Sequence, residues 1–174
     1  MDKDRIQKLL LNAADSIQDP KVRSRTREMI MEAPSYFWKA PSSQHGRHHP
    51  KDEFCEGGLA LHTLRVFRIA RLIMDSNAGW KQPVKDSVSS ACLLHDIRRL
   101  GPKDEGDIKF FDQHPDLAAE AVKEKWHIKS DNSIAGCVRS HMGKWGPVLP
   151  STPAQWLVHY ADNLASKLDQ IMKR

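Results

Sequence analysis

Residues 58–75 read GLALHTLRVFRIARLIMD, and this stretch sets the fold class. Leu61, Leu64, Ile69, Leu72 and Ile73 recur at helical spacing and form one broad apolar face, the mark of an amphipathic α-helix packed on a core. His62 stands inside that helix, between Leu61 and Thr63. A single histidine there reads as a core residue with its hydrogen bonds satisfied, so the helix alone names no chemistry.

The flanking sequence repeats the pattern. Residues 4–18 place Ile6, Leu9, Leu10, Ala13 and Ile17 on one stripe, closed by Asp19-Pro20. Residues 21–33 predict a second helix with Val22, Met29 and Ile30 inward. Residues 35–57 are rich in Pro, Gly and Ser, carry three histidines and show no clean period, so they read as a long ordered loop. Residues 83–98 predict a helix opened by Pro83, and a polar loop follows. Residues 115–126 and 131–141 predict two shorter helices, the first with Pro115 at its start. Pro153 begins a last helix, PAQWLVHYADNLASKLDQIMK. No strand ladder, repeat or low-complexity tract interrupts the series. The predicted class is all-α, a single helical bundle. Its parts are N-terminal helices over 1–34, a loop over 35–57 and a helical core over 58–174.

Composition narrows the setting. A chain of 174 residues is long enough for one domain with a real core. No apolar run approaches the ~20 residues of a bilayer span. The start, MDKDRIQKLLLNAADSIQD, mixes both charge signs through its apolar positions, unlike a secretory signal. A cytoplasmic protein is expected, with no membrane partner. Cys55, Cys92 and Cys137 are odd in number and far apart, giving neither a disulfide framework nor a zinc knuckle. Cys92 and Cys137 read as small core residues. The net charge of +5 suits phosphate-bearing ligands and equally suits a plain solvated surface. The nine histidines say more, because imidazole is the commonest metal ligand.

Residues 91–101, ACLLHDIRRLG, run an apolar segment straight into His95 and Asp96. That is either a helix end meeting water or a metal site. Asp162 bears on the choice. It lies on the apolar side of the last helix with Val158, Ala161, Ala165 and Leu168, where an unpaired carboxylate is costly. Three helices thus each place a potential ligand where a core side chain belongs, and one divalent ion would satisfy all of them. His114 and His141, at element boundaries, add two more donors. Asp96 is placed to bridge two ions, as carboxylates do in two-metal sites. Ser140 precedes His141, but nothing marks it as an activated nucleophile.

The order H…HD…D on helices resembles the HD superfamily of metal-dependent phosphohydrolases. His62, His95, Asp96 and Asp162 stand at its four defining positions, and His114 and His141 match the subset with two metals. More narrowly, APSSQHGRHHPKDEFCEGGLALHTLRV and SHMGKWGPVLPSTPAQWLVHYADNLASKLD resemble segments of the HD domain of bacterial 3′→5′ exoribonucleases, over roughly residues 35–170. The resemblance implies hydrolysis of phosphoester bonds in nucleotides or short single-stranded nucleic acid through a metal-activated water. Two divalent ions are implied, of Mn, Fe, Zn or Mg. His62, His95, Asp96 and Asp162 would hold one, and Asp96, His114 and His141 the other. Asp96 and Arg99 would be catalytic. Arg99, Arg139 and Lys144 would bind phosphate, with His49 lining the phosphate site and Trp145 stacking a base. His49, with His45 and His48, equally reads as part of a solvated polar loop.

The chain departs from the family at three points. Arg98 and Arg99 stand where the family has glycine and lysine, and Met142 replaces the second histidine of HHG. The residues ahead of the motif read as mostly helical, so the OB-fold that precedes the HD domain in those exoribonucleases is not expected in them. Two other functions remain compatible: a mononuclear nucleotidase, and a degenerate HD domain that binds a nucleotide without catalysis.

Overall fold

Nine α-helices and three short 3-10 turns account for the regular structure of the described residues, 2–43, 49–130 and 132–172, in a computed structural model; no strand occurs among them. They are α1 (Lys3–Asp15), α2 (Pro20–Met31), α3 (Ser35–Lys39), α4 (Gly58–Asp75), α5 (Gln82–Leu94), α6 (His114–Trp126), α7 (Ser133–Ser140), α8 (Pro153–Ser166) and α9 (Leu168–Met172). The 3-10 turns are Lys51–Glu53, Ile108–Gln113 and Gly143–Trp145. The starts are written in the sequence. Asp19 accepts from the backbone N–H groups of Lys21 and Val22, with Pro20 as first helical residue. Asn132 caps α7 through Ile134 and Ala135, and Thr152 with Gln155 forms a capping box on α8.

Helix α4 runs through the middle, packed by α1, α5 and α8; α5 in turn packs on α2, α7 and α8, and α6 lies along α7. The all-α bundle is as expected, but the buried face of α4 is rotated from the sequence reading. Leu72 is 73% exposed and Ile73 37%. The core side follows steps of four from His62, through Val66 and Ala70 to Met74, all fully buried. With His62 inward, Leu72 and Ile73 fall on the outer side.

Two further boundaries differ. The expected loop over 35–57 contains α3, which buries Tyr36, Phe37 and Trp38, and the turn at Lys51–Glu53. Five residues are too few to display a helical period, so composition alone was visible there. The last helix breaks at Lys167 and resumes as α9. Cys92 and Cys137 are buried as expected. Of the tryptophans, Trp38 and Trp126 are buried, while Trp145 and Trp156 are exposed. His127 ends α6 in the left-handed conformation, a structural cap. No helix among the described residues is long and apolar enough to cross a membrane.

A buried carboxylate ties the N-terminal helices to this core. Asp86 of α5 accepts from the backbone N–H groups of Gln18 (3.0 Å) and Asp19 (2.9 Å) and from the Gln82 amide (2.8 Å). Removing the carboxylate takes two charge-assisted hydrogen bonds from the α1–α2 turn and one from Gln82. Asp86→Ala is therefore expected to destabilise the protein by about 2–3 kcal/mol, the scale for hydrogen bonds to a charged group. Urea unfolding measures this, and an unchanged midpoint would mean that the α1–α2 turn is held by other contacts.

Candidate metal centre

The interior of the bundle collects polar groups that a core normally excludes. His62, His95, Asp96 and His114 are fully buried and His141 is 1% exposed. The Asp162 side chain is 14% exposed. They come from four places in the fold: α4, the end of α5, the α6–α7 pair and α8.

Three of the histidines are oriented by one device. His95, His114 and His141 each stand at the end of a helical segment. Each ring folds back so that Nδ1–H donates to the carbonyl three residues earlier. The acceptors are Cys92 (2.8 Å), Phe111 and Val138 (2.6 Å). A carbonyl oxygen has two lone pairs, so those of Phe111 and Val138 accept the ring N–H as well as the histidine's own backbone N–H. With Nδ1 protonated, a neutral imidazole must present its Nε2 lone pair to the pocket.

Those lone pairs converge. Nε2 of His114 and Nε2 of His141 are 3.0 Å apart. Oδ1 of Asp96 lies 3.1 Å from the first and 3.7 Å from the second. Neither Nε2 of His95 nor Oδ1 of Asp96 has a hydrogen-bond partner. Facing acceptors in a buried pocket repel unless a cation or a shared proton lies between them. The donor set is imidazole nitrogen and carboxylate oxygen, which suits a divalent ion. Four overlapping triads bring ligand atoms within 4.8 Å of one another: His62–His95–Asp96, His95–His141–Asp162, Asp96–His114–His141 and His49–Glu53–His62. The residues present thus fit a divalent metal ion.

Charge states agree with ligand chemistry. Burial pulls His95 down, and burial reinforced by the neighbouring His114 and His95 pulls His141 down to about 3. Both are neutral at pH 7, as a ligand must be. Burial works to raise Asp96, but Arg99, His95 and His114 outweigh it and hold the carboxyl well below its ordinary value. Asp162 is likewise depressed against its burial, first by the hydrogen bond from His62. His62 is the exception. Burial disfavours its charge, yet Asp162, at 2.9 Å from Nε2, and Glu53 raise it to about 9. A proton on His62 serves here as counterion to two carboxylates, the part a metal cation would take.

The family comparison speaks to the same residues. The HD domain profile matches residues 59–167, which include all six of these donors. The chain belongs to the HD domain family. Within it, the chain is similar to a dihydroneopterin 2′,3′-cyclic phosphate phosphodiesterase of Methanocaldococcus jannaschii. The identity is 26% over 181 residues, covering 95% of this chain and 71% of that protein. It is also similar to the 3′-5′ exoribonuclease YhaM of Geobacillus sp. (strain WCH70), at 24% over 170 residues, covering 90% of this chain but only half of that one. No solved structure matches significantly.

Around the HD core, the other expected site residues fall into different places. Arg99 pairs with Asp96 and lies over the Phe111 ring at 5.0 Å, at the edge of the cluster. His49 donates from Nδ1 to Glu53 at 2.9 Å, and its ring is 4.8 Å from that of His62. His45 and His48 lie outside the described residues. Trp145 is 60% exposed, with the Lys144 ammonium 4.7 Å over its ring. Arg139 is held by Asp116 (2.5 Å) and Glu120 (2.7 Å). Ser140 donates to the carbonyl of Gly136, as an ordinary helical serine does. His159 donates from Nδ1 to the carbonyl of His141 at 2.7 Å, so it supports a potential ligand from behind. A side chain at Gly143 would run into that His159 ring, and its φ of +58° is left-handed.

Glu53, with Arg65, was not anticipated. It is fully buried in the 3-10 turn, paired with Arg65 and His49. Arg65, three residues after His62 on α4, was the available signal: a basic residue on the edge of a buried helix face asks for a carboxylate.

Asp96→Ala removes the carboxylate shared by two triads. The purified variant is expected to keep its helical circular dichroism and lose its metal, as read by elemental analysis after dialysis. Full metal content would remove Asp96 from the ligand set.

Proposed function

We infer that this HD domain hydrolyses phosphoester bonds of nucleotides or short single-stranded nucleic acid. The class, a metal-dependent phosphohydrolase, follows from family membership and from relatives that are a cyclic-phosphate phosphodiesterase and an exoribonuclease. The observation that carries the reading is the buried convergence of imidazole and carboxylate lone pairs, with His114 and His141 facing each other at 3.0 Å. His62, His95, Asp96 and Asp162 would hold one divalent ion, and Asp96, His114 and His141 a second, of Mn, Fe, Zn or Mg. Bound there, the ions lower the pKa of a water and neutralise phosphoryl charge.

The protein's own groups supply the rest. Arg99 brings a planar set of donors to the edge of the cluster; one is on Asp96, and the others are suited to phosphoryl oxygens. His49 lines the same side, close enough that the Arg99 charge is among the influences on it. Trp145, with Lys144 above it, offers an exposed aromatic face and a positive charge to a base and its phosphate. Its indole ring lies 6.4 Å from His159, which holds the carbonyl of His141. Arg139, engaged by two carboxylates, has no part in this reading.

Product analysis with added Mn²⁺ tests the assignment. The substrates are a short single-stranded RNA, the matching DNA, 2′,3′-cyclic nucleotides, a cyclic dinucleotide and nucleoside monophosphates, with Asp96→Ala as control. Opening of cyclic phosphates or a ladder of mononucleotides supports a phosphodiesterase. Phosphate release from monophosphates alone makes it a nucleotidase, and silence throughout favours binding without catalysis. In the same assay His114→Ala should retain one ion and lose most activity; unchanged metal content and rate would rule out the second ion.

Trp145→Ala is expected to raise KM about tenfold with kcat little changed, the effect of losing one base stack worth ~1–3 kcal/mol. Steady-state kinetics on the preferred substrate reads this, and an unchanged KM would make Trp145 a loop residue only.

A further inference from the structure

His62 lacks the device that orients the other three histidines. It lies inside α4, where carbonyls one turn back already serve the helix. The carbonyl at the equivalent position, Leu59, accepts the hydroxyl of Thr63 at 3.0 Å in addition to its helical N–H. Nδ1 of His62 is accordingly buried with no hydrogen bond. The acceptor facing it is Oε2 of Glu53, at 3.4 Å.

Glu53 is built into that position. Its side chain is fully buried. Arg65 holds Oε1, and His49 donates to Oε2 at 2.9 Å. Its backbone carbonyl receives the N–H of Ser42 at 3.0 Å. Gly58, the first residue of α4, lets the turn come this close: a Cβ there would collide with the Glu53 carbonyl. The first two turns of α4 thus carry the surface on which the glutamate rests, the histidine it faces and the arginine that fixes it. The Arg65 guanidinium also argues against reading His49–Glu53–His62 as a metal site of its own, since a second cation beside it would be repelled.

We propose that Glu53 is a positioning residue of the metal centre: it accepts the Nδ1–H of His62, so that the Nε2 lone pair of His62 is directed at the ion. A carboxylate in this role fixes the tautomer and raises the basicity of the ligand nitrogen, more strongly than the amide carbonyls behind the other three rings. This rests on the metal-centre reading above and adds a residue to it.

The test measures metal binding without substrate, so failure of hydrolysis leaves it untouched. The chelator-stripped protein is titrated with Mn²⁺ and Zn²⁺ by calorimetry. Glu53→Gln keeps the size of the side chain and is expected to weaken binding about 10- to 100-fold, with helical circular dichroism retained and a lower melting temperature of the stripped protein from loss of the buried Glu53–Arg65 pair. Asp52→Asn removes the other carboxylate on Arg65, which lies 2.8 Å from it, and should leave affinity within about twofold, the scatter expected for a surface pair of little energetic weight. Glu53→Gln binding as tightly as wild type overturns the proposal. So does Asp52→Asn weakening it equally, because the effect would then belong to the loop. The zinc-loaded wild-type protein gives an independent reading by nitrogen-15 NMR. His62 should show a slowly exchanging Nδ1 proton, downfield of those of His95, His114 and His141; an Nε2–H tautomer overturns the proposal. Wild-type protein that takes up no ion would overturn the metal centre itself.

Discussion

A buried set of imidazole and carboxylate groups facing one another is the constraint on which this molecule is organised. Six donors brought in by several helices point at one another inside a core that is otherwise mainly apolar. Left uncompensated, such a cluster would drive its own helices apart. The bundle holds it because each donor is fixed by a second contact. Three rings are locked to backbone carbonyls, Asp96 is locked by Arg99, and His62 is set between Asp162 and Glu53.

The packing serves this arrangement. α4 and α8 supply His62 and Asp162 from their interiors, while α5 and α7 end where the polar groups begin. An apolar run that stops at His95-Asp96 is therefore a helix end and a prospective metal site together. The alternative of a helix end meeting water does not hold, because both side chains are fully buried and the helix ends at the polar pocket instead.

Much of this was visible in the chain because it rests on local rules. The helices at 58–75 and 115–126 carry their period and their end signals in a few residues, and the H…HD…D order is a sequence property. What was not visible depends on distant neighbours. Leu72 and Ile73 look as apolar as Val66 and Met74, and only the inward orientation of His62 decides which pair is buried. Helix α3 is too short for a period. Arg139 looks available for phosphate until α6 supplies Asp116 and Glu120. Glu53 sits among Lys51, Asp52 and Glu56 in a stretch that reads as solvated, and its burial follows from the close approach that Gly58 permits.

The placement of His95, His114 and His141 at helical ends has a kinetic side. Each ring is hydrogen-bonded to the last turn of its own segment, so unwinding that turn swings the imidazole away. Helix ends are also where a native protein opens most readily. Exit of an ion held by these rings and fraying of the segment ends would then be one motion. The residence time of the ion would follow the local opening rate of α5 and α7 rather than the strength of any single bond to it.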